Sequence, residues 1–229
     1  MYLSRMTLSR TPSMQALSSL LDPAHQGAAL DAHHRLVWSA FNERGVGKRD
    51  FLWRRDSDGC FYALSEQAPA PSDFFEDIET REFAPVLSCG DRLSFTLRAN
   101  ATRSVETPGD IAPNGKLRRR KHDVIMHALR GSNDRAAERD VLVQQEGAAW
   151  LSRQGHRLGF ENLNCHVEAY TQITVPAGRG KRKGQPHFGV LDISGIIEVT
   201  EPALFLAAIK TGFGGAKSFG CGMMMIRRA

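Results

Sequence analysis

The stretch Phe188-Gly-Val-Leu-Asp-Ile-Ser-Gly-Ile-Ile-Glu-Val199-Thr-Glu-Pro202-Ala-Leu-Phe-Leu-Ala-Ala-Ile-Lys-Thr-Gly212-Phe-Gly-Gly-Ala-Lys217-Ser-Phe-Gly-Cys-Gly222-Met-Met-Met-Ile226 changes its period three times. Leu191, Ile193, Ile197 and Val199 follow the period-two rule of a half-buried strand. Thr200 as a cap and Pro202 in the first turn predict a helix through Ala203, Leu204, Leu206, Ala207 and Ile209 that stops at Gly212. A glycine-rich loop follows, and Met223 to Ile226 forms a final strand.

Working back from this strand-helix-strand unit, residues 163–175 alternate as well, so the two alternating runs make a long hairpin. Its tip is the basic segment Gly178-Arg-Gly-Lys-Arg-Lys-Gly184. Upstream, Asn133 or Asp134 caps a helix with apolar positions Val141, Leu142, Ala148, Ala149, Trp150 and Leu151, ending at Gly155. Leu93, Phe95 and Leu97 alternate in a strand that leads into a long proline- and glycine-rich loop over residues 105–115. The same order is predicted in the first part of the chain. There Tyr2 to Ser9 is a strand, and Asp22-Pro23 opens a helix over residues 23–42 through Leu30, His34, Val37, Trp38 and Phe41. Phe51 to Arg55 and Phe61 to Leu64 pair across Asp56-Ser57-Asp58-Gly59, Ser72 caps a short helix through Thr80, and Phe83 to Leu87 is a last strand. Each half thus reads β-α-β-β-α-β, which predicts an α+β fold of tandem ferredoxin-like (RRM-like) domains, residues 1–90 and 91–229.

The chain has 229 residues, 41% hydrophobic and 24% charged, enough to bury a real core and unlike a disordered tail. No apolar run nears the ~20 residues of a membrane helix, and the N-terminus lacks the apolar core of a signal peptide, so a cytoplasmic location is expected. Cys60, Cys89, Cys165 and Cys221 are scattered, which argues for reduced thiols against a disulfide framework or a zinc module. The net charge of +5 is unevenly divided, at −3 over residues 1–114 and +8 over residues 115–229. Concentrated positive charge suggests a polyanionic partner, with a solvated basic face as the plainer alternative.

The loop from Gly212 to Gly222, with Gly214, Gly220, Lys217 and Ser218, lies after a helix, the wrong order for a P-loop. Contact with a nucleic-acid backbone is the sharper reading of it, and a tight connection without a ligand the blander one. Two further clusters support nucleic acid: Lys116, Arg118, Arg119, Arg120 and Lys121 in the middle loop, and Arg179, Lys181, Arg182 and Lys183 at the hairpin tip. Of the eight histidines, His33 and His34 lie on the first helix beside its apolar face, and periodicity does not choose between them. Asp56-Ser57-Asp58 belongs to the predicted hairpin turn, and no clustering of acidic residues, H-x-x-x-H or G-x-S-x-G pattern suggests a metal nuclease or a hydrolase nucleophile.

Met1-Tyr2-Leu3-Ser4, His34-Arg-Leu-Val-Trp38-Ser-Ala-Phe41, Arg49-Asp50-Phe51-Leu52, Phe95-Thr-Leu-Arg98-Ala99-Asn100 and Gly214-Gly-Ala-Lys217-Ser218-Phe-Gly220-Cys221-Gly222 resemble the CasE-type CRISPR endoribonucleases of type I-E systems, over nearly the whole chain. The resemblance implies a tandem ferredoxin-like fold and metal-independent cleavage of precursor CRISPR RNA at the base of the repeat hairpin. The hairpin is then kept by the enzyme as a subunit of the Cascade complex. No cofactor is implied. The family's catalytic histidine corresponds to His34, four residues before Trp38, and Asp31 stands where relatives often carry a tyrosine. With His34 moving a proton, the RNA 2′-hydroxyl attacks its own phosphate and leaves a 2′,3′-cyclic phosphate, and Lys217 or an arginine stabilises the phosphorane. A non-catalytic hairpin-binding protein with two RRM-like units is the alternative; it lacks the aromatic RNP1 signature.

Overall fold

The computed structural model describes residues 1–41, 50–56, 59–111, 114–115, 117–175 and 187–229. Strand β1 (Tyr2–Leu8) alternates Ser4 and Met6 inward. It sits between β3 (Phe61–Ser65) and β4 (Phe75–Glu82), with β2 (Phe51–Arg55) beyond β3, in the antiparallel order β2-β3-β1-β4. The register places Met6 opposite both Phe61 and Ile78. Short helices α1 (Pro12–Ala16) and α2 (Ser18–Leu21) lead into α3 (Gln26–Ser39), which covers one face of this sheet. Met6, Leu36, Val37, Phe51, Trp53, Phe61 and Phe75 form the core between them.

The second sheet has the same order in its own elements, β10-β5-β9-β8, from β5 (Arg92–Ala99), β8 (Phe160–Thr174), β9 (His187–Val199) and β10 (Met224–Arg228). Helices α5 (Arg135–Leu158) and α6 (Pro202–Thr211) cover it. Between β5 and α5 the chain makes a two-stranded ribbon, β6 (Thr102–Ile111) and β7 (Leu117–Asp123), and the short helix α4 (Val124–Leu129). Both sheets follow the ferredoxin-like order, so the expected fold class holds.

Several expected elements are different. Residues 72–80 do not form a helix: β4 pairs along β1, with Ser4 opposite Thr80 and Arg5 opposite Glu79. A long-range backbone ladder outweighs the helix preference of an acidic run. Residues 83–87 form no strand, and the first unit has a loop where its second helix was expected. The helix expected to start at Asp22-Pro23 starts at Gln26, with His25 Nδ1 accepting from the Ala28 N–H at 3.3 Å. Thr200 is not the cap of α6; Glu201 is, with Pro202 in the first turn. In α5 the buried positions are Val143, Gly147, Trp150, Leu151 and Gly155, while Val141 is 56% exposed. That helix passes Gly155 and ends at Gly159, whose φ of 81° suits a glycine. The expected loop over residues 105–115 is largely the ribbon.

The two sheets share one apolar body. Leu52 and Leu64, on the face of the first sheet away from α3, join Phe213, Met223 and Met224 in the larger core. Polar ties flank that contact: Lys210 Nζ lies 2.7 Å from Glu66 Oε1, and Arg54 Nη1 donates to Thr96 Oγ1 at 3.1 Å. No helix among the described residues is long and apolar enough to cross a membrane.

Candidate active site and nucleic-acid interface

Helix α3 has two working faces. Ala29, Ala32, His33, Leu36 and Val37 are buried on the sheet side. Gly27 and Leu30 face the second unit: a Cβ on Gly27 would lie 2.0 Å from the Thr174 carbonyl oxygen, and Leu30 packs with Ile173, Val190, Phe188, Ala216 and Cys221. His34 comes one turn after Leu30 on that second face, because residues four apart stack along a helix. It is half-buried, its ring centroid 5.9 Å from that of Trp38. The same helix packs against the 3-10 turn Lys217–Phe219 in the glycine-rich loop.

The neighbouring histidine has opposite surroundings. His33 is 2% exposed and meets Phe61 and Trp53 edge-on, at 5.2 and 6.4 Å between centroids. Its Nε2 lies 3.1 Å from Asp22 Oδ1 and 3.2 Å from Arg55 Nη1. Burial, then the Arg55 charge, pushes the imidazole below its usual value. Replacing His33 by alanine would therefore open a hole in the core, so it is a poor matched control for His34.

Asp31 is paired along the helix: its Oδ2 accepts from Arg35 Nη2 at 2.5 Å, an exposed i,i+4 pair. Lys217 Nζ donates to the Thr211 carbonyl at 2.5 Å, which ties the glycine-rich loop back to the C-terminal end of α6.

The glycines of that loop have packing reasons. Gly212, Gly214, Gly220 and Gly222 have φ between 74 and 92°, a region other residues rarely adopt. A Cβ on Gly214 would lie 2.6 Å from the Asn100 carbonyl oxygen, and one on Gly220 would press on the Trp53 ring at 3.3 Å. The blander reading of the sequence thus accounts for the glycines, while Lys217 and Ser218 remain half-buried on the turn facing α3.

The first basic cluster lies on a strand, contrary to its expected place in a loop, and it is not bare charge. Arg118 and Arg120 both reach Asp110, at 3.4 and 3.1 Å, and Arg119 reaches Glu106 at 3.4 Å. Lys121 follows on the same exposed strand, opposite Ser104. At the ribbon's base, Arg130 Nη1 is 3.3 Å from His122 Nδ1, and burial followed by Arg103 and the neighbouring cations pushes the His127 imidazole down. Lys116 and the second cluster, Arg179, Lys181, Arg182 and Lys183, lie outside the described residues.

Two features were missed from the sequence. Arg135, Arg139, Arg153 and Arg157 are exposed on α5, and their i,i+4 spacing within each pair was the available signal. Arg139 also stands over the Tyr170 ring at 5.8 Å. A cleft of about 590 Å³ between α3 and the second sheet is lined by Gln26, His33, Arg54, Arg98, Glu168 and Asp192; no local pattern could bring these together. Among the described residues no group of three or more His, Cys, Asp or Glu is arranged to hold a metal ion.

Comparison with known proteins agrees with this architecture. A family model described as CRISPR associated protein matches residues 1–228. The chain is 28% identical to the CRISPR system Cascade subunit CasE of Escherichia coli, covering 99% of this chain and 98% of that one. It is 24% identical to the CRISPR-associated endoribonuclease Cse3 of Thermus thermophilus, over 90% and 86% of the two chains. The solved structure of Thermus thermophilus Cse3 bound to an RNA representing a pre-cleavage complex superposes with a TM-score of 0.64 at 21% identity, covering 99% of this chain and 98% of that one.

Proposed function

The chain belongs to the CRISPR associated protein family, and from that membership we propose that it is a metal-independent endoribonuclease. It cleaves precursor CRISPR RNA within the repeats, at the base of the repeat hairpin, and retains that hairpin as a subunit of a type I-E Cascade complex. The names of its relatives, a Cascade subunit and an endoribonuclease, support both halves of the reading. The observation that carries it is that α3, the helix bearing His34, packs against the glycine-rich turn of the second unit, in a chain matched over residues 1–228.

The chemistry follows from RNA carrying its own nucleophile. The 2′-oxygen attacks the adjacent phosphorus, the 5′-oxygen departs, and the products are a 2′,3′-cyclic phosphate and a 5′-hydroxyl. His34 removes the 2′ proton or protonates the leaving oxygen, a transfer worth ~10²- to 10⁴-fold. Lys217 supplies positive charge to the phosphorane, and holding the 2′-oxygen in line supplies the rest. Arg35, paired with Asp31, offsets the carboxylate that replaces the family tyrosine and would otherwise repel the phosphate.

We assign the two halves different tasks: residues 1–90 carry the proton-transfer helix, and residues 91–229 hold the RNA through β7, the basic segment at residues 179–183 and the glycine-rich loop. The site of action is the cytoplasm, where the precursor RNA is made. In a cleavage assay on a repeat hairpin RNA with EDTA present, wild type is expected to cut and His34→Ala to lose cutting by at least ~10²-fold while still binding the hairpin. Full activity in His34→Ala would sink the assignment of the histidine. EDTA-sensitive cutting would make this a metal enzyme, and no cutting under any condition would leave a hairpin-binding protein.

A further inference from the structure

Asp22, Arg55 and His33 form a connected group beneath α3. The Arg55 guanidinium grips Asp22 with two bonds, Nη1 to Oδ1 at 2.9 Å and Nη2 to Oδ2 at 2.8 Å, and stands over the Phe61 ring at 5.8 Å. The same Asp22 Oδ1 and Arg55 Nη1 both meet His33 Nε2. Asp22 lies on the segment that enters α3, Arg55 ends β2, and His33 is on α3 itself, so one polar knot joins the helix, its lead-in and the sheet. The other ring nitrogen of His33, Nδ1, is buried with no hydrogen-bond partner among the described residues. The imidazole is therefore held through Nε2 alone, and leaving the knot would forfeit its only polar tie.

From this geometry we propose that Asp22, Arg55 and His33 act as positioning residues that fix the roll of α3 and so the placement of His34 against the glycine-rich turn. The proposal rests on the reading of His34 as the proton-transfer group. The reason is mechanical. His33 and His34 are adjacent, about 100° apart around one helix, so clamping the first sets the direction of the second. Side chains reach about 5–6 Å from the helix axis, and a roll of about 10° moves an imidazole tip by about 1 Å. A displacement of that size costs up to ~10²-fold in rate when proton transfer requires alignment. Leu36 and Val37 seat the helix one turn later, but at the level of His33 the apolar packing is a weak guard against such a roll, since Ala29 and Ala32 offer little to interlock. The bidentate guanidinium pair supplies direction that a greasy contact lacks.

The test is single-turnover cleavage of a repeat hairpin RNA at saturating protein, measured beside RNA affinity and melting temperature. The variants are Asp22→Ala, Asp22→Asn, which keeps one acceptor oxygen, and His33→Phe, which keeps the ring and drops the polar tie. Asp22→Ala and His33→Phe are expected to slow cleavage by about 10- to 100-fold, with affinity within about twofold of wild type and Asp22→Asn in between. Cleavage at the wild-type rate in Asp22→Ala would overturn the clamp, as would a loss of affinity that matches the loss of rate. If Asp22→Ala lowers the melting temperature by more than about 8 °C, Asp22→Asn decides by the same criteria. Wild type and His34→Ala are run alongside: an uncut wild type or an active His34→Ala refutes the functional reading, while a cutting wild type with an unaffected Asp22→Ala refutes only the clamp.

Discussion

Two adjacent imidazoles on α3 meet different worlds. His34 is half-buried one turn after Leu30, and His33, 2% exposed at the wall of the cleft, is packed against Trp53, Phe61, Asp22 and Arg55. The second case makes stability depend on pH. Burial and Arg55 lower the His33 value in the folded chain, so on acidification the unfolded chain, near the ordinary 6.5, takes up its proton first. Stability is complete above about pH 6.5 and is lost as pH falls through the folded value. The half-buried His127, also held below its ordinary value, adds a loss of the same sign. Asp22, held down by its bonds to Arg55, acts in a lower window, its contribution present above the ordinary 3.8 and lost as pH falls through its folded value. The melting temperature is expected to be flat between about pH 7 and 8 and to decline from about 6.5 downward. His33→Phe should shrink the decline between about pH 6.5 and 5; the same slope in wild type and variant would show that His33 is not the titrating group.

At the scale of elements, the placement of α3 depends on how closely it approaches β8. Gly27 lets the helix backbone approach the Thr174 carbonyl, where a methyl group would sit 2.0 Å from the oxygen. Van der Waals contact requires about 3.5 Å, so Gly27→Ala must push α3 and the end of β8 apart by over about 1 Å. The substitution favours helix by about 1 kcal/mol, yet the separation loosens the cluster of Leu30, Ile173, Val190 and Ala216. Gly27→Ala is expected to destabilise by about 1–3 kcal/mol and to slow cleavage more than it weakens hairpin binding. A stabilised, fully active variant would mean that α3 is not seated by this contact. The ribbon β6–β7 behaves differently: its strands pair chiefly with each other, and Asp123 anchors its base by capping α4 and accepting from the Tyr170 hydroxyl at 3.0 Å.

For the molecule as a whole, the basic half is organised by acids as much as by bases. Asp110 and Glu106 hold the β7 arginines in a row, and because side chains alternate along a strand, Arg118 and Arg120 share one side while Arg119 and Lys121 share the other. Such exposed pairs contribute little to stability, so their weight falls on binding. Replacing all four cations by alanine is expected to weaken hairpin binding and to reduce the slope of log affinity against log salt by roughly 2–4. Asp110→Asn, which releases Arg118 and Arg120 from competition, should steepen it. If the fourfold variant kept the wild-type slope, β7 would not be touching phosphate.

The strand, helix and strand pair that open the chain, the strand-helix-glycine-strand ending and the spacing His34-x-x-x-Trp38 are legible in the amino-acid order alone. These are local signals, read within one or two turns of chain. That residues 75–82 are a strand came only with the fold, since their partner is β1, some 70 residues away in the chain. The fold likewise showed that the loop glycines serve packing against Asn100 and Trp53, and that the β7 arginines already hold acids. The distinction between His33 and His34 belongs to the same class. The sequence-based choice of His34 relied on a family resemblance, whereas the fold gives the neighbours different surroundings: His33 packs edge-on against Trp53 and Phe61 of β2 and β3, and His34 follows one turn after Leu30, which packs on the second unit. Periodicity records which side of an element is apolar; what waits on each side depends on pairings across the whole chain.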